Sequence, residues 1–183
     1  MTILAPDRIE LLDTLGLRNG RVVEIGVWKG EYSESLLKRG PVELWLVDPW
    51  MHQPEAVWCD WMNKLQREME EVAAAIYRRY RDEPRVKIVR LFSEAAAPLF
   101  PDGYFDLVYV DANHSYEFCL ADLRLWYPKV KPGGYLAGHD FTGSWTGVKK
   151  AVEELMAEKG LQLAGVTGER EWSTWVIRKK GAA

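Results

Sequence analysis

The chain has 183 residues, a length that favours one domain and, in general, burial of roughly 70% of the unfolded surface without disulfide or metal staples. Lys and Arg number 24 against 27 Asp and Glu, so the net charge is −3, which argues against a chain built to neutralise nucleic-acid phosphates. No apolar run approaches the roughly 20 residues needed to cross a bilayer, and no basic n-region precedes an apolar stretch between Met1 and Leu12; a cytoplasmic protein without membrane or nucleic-acid partners is expected. Cys59 and Cys119 are far apart and form no Cys-x-x-Cys pair, so neither a disulfide framework nor a zinc site is indicated. The one excess is nine tryptophans, because an indole wants both an apolar wall and a partner for its N–H.

Pro6 to Leu15 reads as a short leading helix, with Ile9, Leu12 and Leu15 on one stripe and Gly16 as its stop. Arg21 to Gly26 is a β-branched run ending in glycine and suits a buried strand. A helix over Tyr32–Lys38 closes at Gly40-Pro41, and Glu43 to Asp48 is the second strand. Met62, Leu65, Met69, Val72, Ile76 and Tyr80 recur at helical spacing and predict a long helix over Trp61–Tyr80. Arg85 to Arg90 alternates as a third strand, and Phe105 to Asp111 is a fourth. Ser115 caps a helix carrying Leu120, Leu123 and Trp126, which Pro128 ends. Lys131-Pro-Gly-Gly134 reads as a tight turn feeding a fifth strand, Tyr135 to Gly138. A helix over Thr146–Lys159 precedes two closing strands, Leu161–Val166 and Trp172–Ile177, expected to pair antiparallel.

This order predicts a single α/β domain over 1–183: a doubly wound, mostly parallel, Rossmann-like seven-stranded sheet with a C-terminal antiparallel hairpin, a leading helix over 1–19 and a lid loop over 49–60. Ligands in such sheets sit outside the carboxyl ends of the strands. In the first of these loops, Glu24-Ile-Gly-Val-Trp-Lys-Gly30, Trp28 stands where a dinucleotide site needs its middle glycine. Together with the charge of Glu24, that bulk favours a ligand with a cationic amino group and no pyrophosphate. Asp48, ending strand two about twenty residues on, has the position of a carboxylate that accepts both ribose hydroxyls. Ser93 either caps a short turn or touches an adenine edge. Asp111 ends a nearly apolar strand with His114 just beyond it, the place for a general base, and His139 and Asp140 end the fifth strand.

Val-Glu-Ile-Gly-Val-Trp-Lys-Gly30, Val47-Asp48 and Lys131-Pro-Gly-Gly together resemble the class I S-adenosylmethionine-dependent methyltransferases. Val110-Asp-Ala-Asn-His-Ser-Tyr and Ala137-Gly-His-Asp-Phe are similar to the small-molecule O-methyltransferases of the macrocin and catechol types. The resemblance implies a cofactor site with Glu24 near the methionine amino group, Gly26 and Gly30 giving backbone room, Ser33 at the carboxylate, Asp48 on the ribose and Ser93 at the adenine. It further implies His114 as base and Mg²⁺ on Asp111 and an acidic pair after strand five; here that pair is His139-Asp140, one carboxylate short, and Asn113 is expected to supply the replacement oxygen. The expected function is O-methylation of a small hydroxylated acceptor; the alternative is a non-catalytic or N-directed S-adenosylmethionine-binding protein, and the size is compatible with a homodimer. Trp45, Trp126, Trp172 and Trp175 are assigned to the core. Trp28, Trp50, Trp58, Trp61 and Trp145 fall at the carboxyl-end layer and are expected to wall the site, with Trp50, Trp145 and His139 facing the acceptor and Trp50 also facing the cofactor.

Overall fold

The computed structural model describes residues 1–55, 57–58 and 63–181. Eight strands alternate with six helices: β1 (Ile3–Ala5), α1 (Arg8–Leu15), β2 (Arg21–Ile25), α2 (Glu31–Lys38), β3 (Glu43–Val47), α3 (Gln66–Tyr80), β4 (Val86–Val89), α4 (Ser93–Ala96), β5 (Phe105–Val110), α5 (Tyr116–Trp126), β6 (Val130–Gly138), α6 (Thr146–Lys159), β7 (Leu163–Thr167) and β8 (Trp175–Arg178). The sheet order is β1-β7-β8-β6-β5-β2-β3-β4. Every pairing is parallel except the two made by β8, which enters antiparallel between β6 and β7. The expected α/β sheet and closing hairpin are present, with one strand more than expected. Strand β1 adds the eighth by pairing with β7, so the leading segment is a strand and a helix rather than a helix alone.

Local chemistry sets the element ends. The Asp7 side chain accepts the N–H groups of Ile9 and Glu10 at 2.8 and 2.9 Å, and Gly16 ends α1 at φ 65°. Leu11 joins Leu12 and Leu15 on the buried stripe, while Ile9 turns outward. Helix α3 begins at Gln66, later than expected; Trp61 and Met62, assigned to its first turn, lie outside the described residues. Lys131 to Gly134 is a bulge within β6 and not a turn before it. The pairing with β5 jumps from Phe105↔Val130 to Leu107↔Tyr135, and Gly133 takes φ 81°.

Period-two alternation along the central strands splits the core into two layers. Val23, Ile25, Val108 and Val110 face α5 and α6. Val22, Leu107 and Tyr109 face α1, α2 and α3, and Glu24 shares their side of the sheet. The chain leaves β2 outward to β3 and β4, then returns to β5 on the other flank. The topological switch point therefore lies between β2 and β5. There the backbones nearly touch: a Cβ on Gly26, at φ 85°, would lie 2.0 Å from the Asp111 carbonyl oxygen. Gly26→Ala should therefore cost at least about 3 kcal/mol through combined clash and strain. A urea midpoint equal to that of wild type would contradict this close approach.

Candidate functional site

The site begins with one carboxylate. Asp48 Oδ2 accepts the backbone N–H groups of Val27 and Trp28 at 2.9 and 3.0 Å, and its Oδ1 accepts that of Trp50 at 2.7 Å. These bonds hold Trp28 and Trp50 at φ 51° and 41°, left-handed conformations that bulky residues rarely adopt. Burial pushes the Asp48 carboxyl up, against the opposing pull of those three N–H groups. Arg90 braces the same loop by donating to the carbonyls of Pro49 and Trp50 while paired with Glu70.

Above this platform lies a cleft of about 290 Å³ at the carboxyl ends of β2 to β5. Ile25, Gly26 and Trp28 contribute from the first loop, and Val47, Asp48 and Met51 from the second. Phe92, Ser93 and Glu94 follow β4, while Asp111, Ala112 and Asn113 follow β5. Trp58, Phe118 and Asp122 complete the walls, a mainly apolar lining with a few polar groups as small-molecule sites have. A second cavity of about 190 Å³ adjoins it, lined by Trp58, Asn113, His114, Ser115, Ser144 and Trp145 among others. Trp58 and Asn113 belong to both.

A charged cluster lies at this junction. His114 Nε2 is 2.9 Å from Asp140 Oδ2 and 3.6 Å from Asp111 Oδ1, and its ring packs 4.6 Å from that of Trp145. Burial favours neutral His114, but hydrogen bonds and charge from Asp111 and Asp140 outweigh it and push the imidazolium up to about 10. Burial likewise opposes ionisation of Asp140, yet hydrogen bonds from His114 and His139 hold that carboxyl below the usual range. Asp140 also occupies a left-handed conformation, φ 61°. Asp111, His139 and Asp140 each offer a donor atom, all within 4.8 Å of one another, so the set fits a divalent cation. Arg8 of α1 approaches Asp111 Oδ2 at 3.3 Å and lies 5.0 Å over the Tyr32 ring.

The structure thus brings Gly26, Asp48, Ser93 and Asp111 to the cleft and gathers Asp111, His114, His139 and Asp140 beside it. Glu24 and Ser33 lie elsewhere. Both are buried on the α1–α2 side of the sheet, where the Ser33 hydroxyl donates to Glu24. Gly30 is the N-cap of α2, where an added Cβ would meet Ile76 at 2.6 Å. Two tryptophan assignments are corrected. Trp50 does not wall the site: it is 1% exposed, packs with Leu36, Leu46 and Ile76 in the core, and donates its indole N–H to the Trp28 carbonyl. Trp172, assigned to the core, is 49% exposed. Trp28, Trp58 and Trp145 do line cavities, and Trp61 lies outside the described residues. The sequence reading missed Arg8, Glu94, Phe118 and Asp122.

Burial pushes the Glu24 carboxyl up from 4.5 to about 8, only partly offset by the Ser33 hydrogen bond. The folded chain therefore binds a proton that the unfolded chain releases above about pH 4.5. This contribution is full at low pH and is lost as pH rises from about 4.5 to 8. Glu24→Gln removes the titration and should stabilise the chain by about 2–4 kcal/mol near pH 8, less near pH 5. Melting curves across that range check it, and a pH-independent difference would refute the burial of a protonated Glu24.

Comparison with known proteins agrees with this layout. A family model described as a methyltransferase domain matches residues 23–141, which contain the switch point, the cleft and the Asp111–His114 and His139–Asp140 segments. No curated protein sequence matches significantly. Among solved structures, the O-methyltransferase NovP superposes with a TM-score of 0.70 at 21% identity, covering 94% of this chain and 79% of that one. A Corynebacterium glutamicum protein gives 0.66 at 18% identity over 99% and 85% of the two chains. An O-methyltransferase from Bacillus cereus, solved with SAH (S-adenosylhomocysteine), gives 0.63 at 13% identity over 93% and 80%. With the family model spanning the whole switch point, the chain belongs to the methyltransferase domain family, and it shares the fold of NovP and of the Bacillus cereus O-methyltransferase.

Proposed function

We propose that the chain transfers the methyl group of S-adenosylmethionine to a hydroxyl of a small molecule seated in the second cavity. The observation that carries this reading is the junction of the two cavities. Trp58 and Asn113 line both, Asp111 borders the first, and His114 borders the second. A cofactor in the first cleft and an acceptor in the second would meet over the charged cluster.

The sulfonium methyl arrives activated, so the protein must align three atoms and take one proton. Trp58 and Trp145 supply flat apolar walls for the acceptor, and Trp145 also backs the His114 ring. His114 would take the acceptor proton only when its imidazole is neutral, a form that Asp111 and Asp140 disfavour unless their charge is drawn elsewhere. Asp111 and Asp140 fix the ring's orientation through Nε2. Mg²⁺ held by Asp111, Asp140 and His139 would lower the hydroxyl pKa and draw carboxylate charge away from His114. Arg8 keeps Asp111 in place from the other side.

His114→Ala should lower turnover by about a hundredfold or more while cofactor affinity stays near that of wild type. Unchanged turnover would remove His114 from the mechanism. Trp145→Ala should raise the acceptor KM severalfold with little change in cofactor affinity. In the same assay, across a panel of phenols, sugars and amines, Mg²⁺ should raise the rate and chelation should lower it. No response would remove the metal, transfer to amines alone would make the enzyme N-directed, and cofactor binding without any transfer would leave a binding protein.

A further inference from the structure

The cation proposed above meets a donor set that is not all oxygen. Asp111 and Asp140 offer carboxylates, but the third donor is an imidazole. His139 Nδ1 lies 3.4 Å from Asp140 Oδ2 and 4.0 Å from Asp111 Oδ2. Asn113, expected to replace the missing carboxylate oxygen, is engaged elsewhere. Its Oδ1 accepts the Ser115 N–H at 2.9 Å, and its amide N–H donates to the Val57 carbonyl at 3.1 Å. Both ends of that side chain order the loop after β5 instead.

The three donors are sheltered, unlike acidic groups that gather on a surface. Their side chains are 22%, 15% and 7% exposed for Asp111, His139 and Asp140. A small void of about 10 Å³ borders Asp111 and His139, room for one water-sized occupant. Mg²⁺ takes oxygen ligands and gives up its own water reluctantly, so it depends on negative charge. Here that charge is already shared: Arg8 pairs with Asp111, and His114 with both carboxylates. An imidazole coordinates in its neutral form and adds no charge. What it adds is a softer nitrogen donor, which suits first-row transition ions better than Mg²⁺.

We propose that Asp111, His139 and Asp140 form a two-oxygen, one-nitrogen site that selects a first-row transition ion over Mg²⁺, with His139 as the selecting ligand. Mg²⁺ enters the same place only at higher concentration. This rests on the cation in the proposed function and changes which ion that is.

Calorimetric titration of the purified, chelator-treated chain with CoCl₂ and with MgCl₂ in neutral buffer tests the preference. Wild type should bind Co²⁺ at least about a hundredfold more tightly than Mg²⁺. In His139→Asp that ratio should fall at least about tenfold, with Mg²⁺ gaining affinity. Proton NMR of the Co²⁺-loaded chain identifies the ligand. Coordination through Nδ1 leaves an N–H on the His139 ring, so wild type should show a strongly shifted, solvent-exchangeable proton that is missing in His139→Asp. A lower wild-type ratio, a ratio unchanged in the variant, or Co²⁺ binding without that proton would overturn the assignment of His139 while leaving a metal in the proposed function. The wild-type spectrum decides even if the variant fails to fold. Binding of neither ion would overturn both this site and the metal in the proposed function.

Discussion

Much of this site depends on the three backbone N–H groups gathered by Asp48. A carboxylate at the end of an inner parallel strand is partly buried, and its desolvation must be offset by strong hydrogen bonds. Asp48 finds them in two loops that follow neighbouring strands, so one side chain fixes the spacing of both. The same bonds offset the left-handed strain at Trp28 and Trp50. Trp28 is thereby turned to the cleft and Trp50 sent down into the core, where its indole N–H returns to the Trp28 carbonyl. A ribose hydroxyl meeting Asp48 would find an acceptor already aimed and held, because little of the carboxylate is left to reorganise.

The second constraint is charge balance around β5. Asp111 stands between Arg8 and His114, and Asp140 between His114 and His139. Each carboxylate thus has cationic or proton-bearing neighbours on two sides. That arrangement explains why His114 resists losing its proton although it is buried. It also gives a reason for Arg8 to be delivered by a separately anchored segment. The pairing of β1 with β7 sets the start of α1 at the carboxyl-end layer, and Asp7 caps the helix from which Arg8 projects. Glu24, one residue from Ile25 but on the opposite face of the sheet, sits behind Asp111 and stays neutral, so a third negative charge is avoided.

Much of this was legible in the sequence, and the parts that were not share physical reasons. Strands β2, β3 and β5 are buried on both faces, so they show as short β-branched runs, and their carboxyl ends carry Gly26, Asp48 and Asp111 in plain view. Strand β1 has three residues at a sheet edge, too few for any alternation to show. Arg8 could not be placed without it. The Lys131–Gly134 segment has turn chemistry, but Lys179, just past β8, accepts the Gly133 N–H on its carbonyl and draws the segment into the ladder as a bulge. Asp122 did carry a signal: it falls between Cys119 and Trp126 on the apolar stripe of α5, where a solvated carboxylate has no place. Trp50 and Trp172 were misread because position along the chain says which loop holds an indole, not which way backbone geometry points it. A left-handed φ turns Trp50 inward, and Trp172, also left-handed at φ 57°, lies outward on the surface.

The tryptophans finally separate by what their N–H groups do. Walls and core are not independent uses of the residue. Trp28, Trp58 and Trp145 line the cavities, where dispersion and flatness matter most. Trp50, Trp126 and Trp175 are buried, and the first two give their indole N–H an acceptor whereas Trp175 has none among the described residues. Trp50 finds the carbonyl of Trp28, and Trp126 finds the hydroxyl of Ser93. In both pairs the acceptor belongs to a residue of the cleft. Satisfying the core therefore orients the site: Trp50 steadies a wall, and Trp126 decides which way a hydroxyl points. An unusually high indole content is thus a way of letting hydrophobic packing carry direction into a mostly apolar pocket.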